Sequence, residues 1–73
     1  MSIDEIARKV REAEKTKNKI AMFHYQILIH AKELEGVDAI EFCKEIGVNE
    51  SYATEFRKML SLAKLMRDEG HYL

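Results

Sequence analysis

The side chains most often used for nucleophilic catalysis or metal binding are sparse in this chain. Its 73 residues hold three histidines and one cysteine, so their spacing decides which reactions are open to it. His24 and His30 are six residues apart, which places them on different faces of a helix and denies them the i, i+4 spacing of a shared metal. His71 stands alone. Cys43 has apolar neighbours and no adjacent histidine or basic pair, so it reads as a small buried residue and not as a thiolate nucleophile. A single cysteine also excludes an internal disulfide and a cysteine-based zinc site. There is no glycine-rich phosphate loop, no Ser/His/Asp set and no close carboxylate pair. A domain this small has little room for an enclosed site. The expectation is a binding protein: not an enzyme, with no catalytic residue, no metal and no cofactor.

Charge narrows the class of partner. The formal net charge is −1, whereas small nucleic-acid binders are usually basic overall. The charge is unevenly placed, however. Between Arg8 and Lys19 six basic side chains face two acidic ones, while from Gly36 onward five basic side chains face seven acidic ones. A positive stripe is therefore expected near the N-terminus, carried by Arg11, Lys15, Lys17 and Lys19, and not over the C-terminal half. Hydrophobic residues make up 47% and charged residues 34%, proline is absent, and glycine occurs three times. That balance describes a folded helical domain with few tight β-turns. Apolar runs such as Ile27-Leu28-Ile29 are far shorter than the roughly 20 residues of a membrane span. Asp4 and Glu5 sit where a signal peptide would carry positive charge. A cytoplasmic chain without a membrane segment is expected.

These residues must be positioned by helices. Ser2-Ile3-Asp4-Glu5 has the form of a capping box, so a helix starts near residue 3. Its apolar residues follow two heptad series, Ile3, Val10, Lys17, His24, Ala31 and Ile6, Ala13, Ile20, Ile27, Leu34. One continuous helix of about thirty residues fits this pattern. So does a break at Thr16-Lys17-Asn18-Lys19, with Thr16 or Asn18 capping a second helix. The stripe before residue 19 is narrow and reads as an arm. From Ile20 to Leu34 apolar residues cover nearly the whole circumference, as in a core helix. Gly36 ends this stretch, Asp38 can cap the next helix, and Gly47 closes that one after two to three turns. Asn49 or Ser51 can cap a last helix running to about Asp68, with two apolar stripes and hence two packing partners.

The stretch from Ile40 to Phe56 resembles the helix-turn-helix of bacterial and phage transcription regulators. A small residue, Cys43, stands where the two helices must cross. Gly47 supplies the turn between helices that meet steeply. Ile46, Val48, Ala53 and Phe56 flank that turn and line the inner face of the second helix. The resemblance covers about twenty residues, or about fifty with the preceding helix as support. It implies that the last helix enters a major groove with its N-terminal residues toward base edges. Asn49 would then pair with adenine and Glu55 accept from the cytosine amino group. Ser51, Tyr52 and Lys58 suit phosphates, and Thr54 completes the outward set. Glu50 and Glu55 depart from the family pattern, because they place negative charge where a polyanion would lie.

The fold expected is all-α: a helix-turn-helix three-helix core over residues 20–73, with a long N-terminal helical arm over residues 1–19. The apolar stripe of the arm, Ile3, Ile6 and Val10, together with Met59, Leu62 and Met66 at the end of the last helix, is expected to bury itself against a second copy of the chain. Lys17 and His24 at heptad core positions argue against a strict parallel zipper, so an arm exchanged between subunits or folded back on its own domain fits equally well. The leading function is a small regulator that binds double-stranded DNA as a homodimer. The alternative is a protein-interaction module, an inhibitor, adaptor or assembly domain that uses the same fold without DNA. A third reading makes the chain a terminal domain of a longer protein.

Overall fold

The computed structural model describes residues 2–72. Five helices follow one another: α1 (Ile3–Glu14), α2 (Lys19–Ile29), α3 (Ala31–Leu34), α4 (Ala39–Ile46) and α5 (Tyr52–Asp68), with no strand among the described residues. The Ser2 hydroxyl accepts from the Glu5 amide at 3.3 Å, the first half of the capping box, and Asp4 and Glu5 lie in the first turn, where the helix dipole favours them.

Of the two ways to read residues 3–34, the chain takes the broken one. The Asn18 amide donates to the Ala13 carbonyl at 2.9 Å and the Lys17 amide to that of Glu14 at 3.2 Å. These two bonds form a Schellman corner, and they put Lys17 at the left-handed position with φ 62°. Thr16 reinforces the corner by donating its hydroxyl to the Ala13 carbonyl at 3.1 Å. The chain therefore reverses, and α1 lies back against α2 and α4.

Of the placements open to the arm, the chain takes the one folded back on its own domain. Ile6 and Val10, expected at a partner interface, are each only 1% exposed and sit in the core of their own chain, with Ile3 packed at its edge. The narrow stripe is spent internally, where it enlarges the small core that a chain of this size can build.

Three phenylalanines hold the centre. Phe23 of α2, Phe42 of α4 and Phe56 of α5 are fully buried, with ring centroids 6.3 Å apart between the first two and 4.9 Å between the last two. Ile27, Leu34 and Ile46 pack around them. Cys43, fully buried, lies in the same cluster, and burial pushes its thiol pKa up, so it has the packing role expected of it. α2 is apolar nearly all round, as its sequence shows, but only one side of it lies in the core. Its fully buried residues are Phe23, Gln26 and Ile27, while Ile20, Tyr25 and Ile29 are exposed.

α2 and α5 run side by side in the same sense. His24 meets Glu55 near their starts, and Glu35, just beyond α3, meets Arg67 near the end of α5. α4 is capped by Asp38, whose carboxylate accepts from the Glu41 amide at 2.9 Å, and it ends at Gly47 with φ 79°. There the Val48 amide donates to the Cys43 carbonyl at 3.0 Å and the Gly47 amide to that of Lys44 at 3.3 Å, the same kind of corner as at Lys17.

Candidate nucleic-acid interface

α4, the corner at Gly47 and α5 form the helix-turn-helix. Between the two helices Asn49 makes a tight turn, its side-chain oxygen accepting from the Ser51 amide at 2.8 Å. Asn49 therefore shapes the entry to α5, which leaves its amide nitrogen and one acceptor site of its oxygen to face a ligand. The Ser51 hydroxyl makes no cap to the helix, and Asn49, Glu50, Ser51 and Thr54 are all exposed. The leading end of α5 points outward because Ala53 and Phe56, on the opposite side of the same turn, are held in the core.

The remaining expected residues divide by what they already touch. The Tyr52 ring packs edge-on against Phe23, with centroids 5.1 Å apart, so it is half-buried and joins the leading end of α5 to the core. Lys19 lies over the Tyr52 ring, its Nζ 5.4 Å from the centroid. That contact brings the basic corner of residues 15–19 beside α5. Lys15 and Lys17 lie in this corner and Arg11 one turn back on α1; none of the three makes an ion pair among the described residues. The backbones of α1 and α5 stay apart, so Arg11 lies away from α5 and Lys19 is the link.

Glu55 does not fit the role of a free acceptor for cytosine. Its Oε1 lies 2.9 Å from His24 Nε2 and its Oε2 lies 3.2 Å from Lys58 Nζ. The hydrogen bonds from His24 and Lys58 hold its carboxyl pKa below the usual range. Both oxygens are thus engaged within the chain, and Lys58 is engaged with them. Glu50, the other acidic departure, lies 3.9 Å from Lys44. Each carboxylate on this face has a cation beside it, so the negative charge foreseen there is largely compensated.

Arg57 lies outside the set expected from sequence. It is exposed on α5, three residues past Thr54, and makes no ion pair or hydrogen bond among the described residues. The signal was available: i, i+3 spacing from Thr54 sets it on the outward side of the helix. Glu50, Thr54, Arg57 and Ser61 form a polar row along α5, with Ser51 and Lys58 beside it.

The arrangement can present cations and hydroxyl donors to an elongated anionic surface. Among the described residues no cluster of three or more histidine, cysteine, aspartate or glutamate side chains could hold a metal, and no helix is long and apolar enough to cross a membrane. No curated protein and no solved structure matches the chain at a significant level. A model of protein families does match, over residues 2–69, under the description HTH-like domain. That span takes in all five helices, α1 included, and the chain therefore belongs to the HTH-like domain family.

Proposed function

We propose that this chain is a small cytoplasmic DNA-binding protein, a transcription regulator that acts as a homodimer and carries no catalytic activity. The observation that carries the proposal is the outward leading end of α5, with Arg57, exposed and without an ion pair among the described residues, behind it and the basic corner of residues 15–19 tied to it by the Lys19–Tyr52 contact. In this reading α5 enters the major groove. Ser51, Thr54 and Arg57 face base edges, with the Asn49 amide nitrogen as a further donor, while Lys15, Lys17, Lys19 and Lys58 approach phosphates. Glu55 acts indirectly: held by His24, it keeps Lys58 in place and adds little net negative charge to the surface.

Salt dependence tests this. About four phosphate contacts imply an affinity loss of about a hundred-fold between roughly 50 and 200 mM salt. Fluorescence anisotropy with labelled duplexes measures it, and Lys15→Glu with Lys19→Glu should abolish most of the low-salt binding. A chain that binds no duplex at low salt would not be a DNA-binding protein. The exposed apolar side chains of α2 and α5 then favour the second reading, a protein-interaction module on the same fold.

A further inference from the structure

The fold leaves one apolar surface uncovered. On α5, Met59, Leu62 and Met66 follow Glu55 at i+4, i+7 and i+11, so they continue the stripe that Glu55 sets against α2. Across from them Leu28 stands one turn beyond His24, with Tyr25 beside it, and Leu65 flanks the stripe on its outer side. Tyr25 is 51% exposed, Leu62 39% and Leu65 56%. At its far end the seam opens into a hollow of about 300 Å³ lined by Leu28 and Met66.

We infer that a second copy of this chain is seated on the seam between α2 and α5, an inference that rests on the homodimer of the reading above. Three considerations select this occupant. Tyr25, Leu62 and Leu65 each leave between 39% and 56% of their surface exposed, and an apolar patch of a few hundred Å² is about the largest a typical monomer leaves open, often for a function. With a polar rim, that is enough for the core of a standard interface of about 800 Å² per partner. The six side chains of the seam are uncharged, and the cations next to them in sequence on α5 each have a partner within the chain, Lys58 with Glu55, Lys64 with Asp68 and Arg67 with Glu35. A partner chosen by charge would find nothing to read, whereas a twofold-related copy offers an apolar surface of identical shape. The seam also occupies the trailing half of α5. Leu62 lies about 15 Å along the helix from Tyr52, so contact there leaves the leading ends of both copies free. Ile6 and Val10 contribute nothing to this contact, since they are buried within the chain.

The test is self-association without DNA, by sedimentation equilibrium from micromolar to millimolar concentration, on the wild type, Leu62→Glu and Leu65→Glu. Both side chains are exposed in the single chain, so far-UV circular dichroism should report intact helices in each variant. The wild type should dimerise, and each variant should weaken dimerisation by about thirty-fold or more. A wild type that stays monomeric throughout, or variants that dimerise as well as it does, would overturn the inference. DNA anisotropy on the same samples separates the two proposals. Dimerisation lost in the variants, with no duplex bound by the wild type, leaves the seam standing and removes the DNA reading. Duplex binding by a wild type that never dimerises does the reverse.

Discussion

Replacing Gly47 by alanine isolates the backbone cost of the corner between α4 and α5. Gly47 has φ 79°, and a Cβ built there meets nothing within 4 Å. Alanine therefore brings no clash, only the left-handed conformation itself. That conformation costs an L-residue about 1–2 kcal/mol. Restricting the unfolded chain returns about 0.4–1 kcal/mol, so the net loss is about 1 kcal/mol. For a domain of this length such a loss lowers Tm by roughly 4–8 °C. Lys17, at φ 62°, offers the reciprocal measurement, because the same strain is already present there. Lys17→Gly should raise stability by a few tenths of a kcal/mol, up to about 1 kcal/mol. Urea and thermal unfolding followed by far-UV circular dichroism, with Gly47→Asn as an intermediate case, provide the assay. If Gly47→Ala matches the wild type in midpoint and slope, the corner is not left-handed and the geometry derived for the leading end of α5 fails with it.

Three further outcomes are expected. Phe23→Ala, which empties the centre of the aromatic cluster, should cost about 3–5 kcal/mol in urea unfolding; a loss under about 1 kcal/mol would mean the ring is not in the core. Because the Glu55 carboxyl pKa is lowered in the folded state, its contribution to stability is complete above the ordinary glutamate range and is lost as pH falls through the depressed folded value. Glu55→Gln should thus flatten that part of the acid limb in a stability-against-pH series, and an unchanged limb would show that the contacts with His24 and Lys58 contribute nothing. Arg57→Ala should weaken duplex binding and leave urea unfolding nearly unaltered, since the exposed side chain makes no ion pair or hydrogen bond among the described residues; equal affinity in a titration would remove it from the interface.

Local signals were legible in the sequence where one residue type answers one backbone need. Ser2, Asp38 and Gly47 announced two helix starts and a corner, and each does what its chemistry predicts. The corner at Lys17 was only half legible. Nothing in a lysine signals a left-handed residue, so the heptad series running through it left a continuous helix open. The fate of α1 depended on a surface elsewhere: Ile6 and Val10 look available until α2 and α4 are placed against them. Glu55 shows the same limit at the candidate site. His24, 31 residues away, decides whether that carboxylate faces a base or is already engaged, and no spacing rule connects the two. Arg57 could be found from helical periodicity alone, since its outward position needs only the register set by Ala53 and Phe56.

The shared sense of α2 and α5 makes a formal net charge of −1 a poor description of how this molecule meets an electric field. The positive poles of both helices lie at one end, together with Lys15, Lys17 and Lys19, while at the other end Glu35 and Asp68 are matched by Arg67 and Lys64. Such a particle is nearly neutral in sum, yet its lysines stand together at one end. Approaching a polyanion, it would swing its lysine-bearing pole forward before any atoms touch, and added electrolyte would erase that alignment well before it altered the fold.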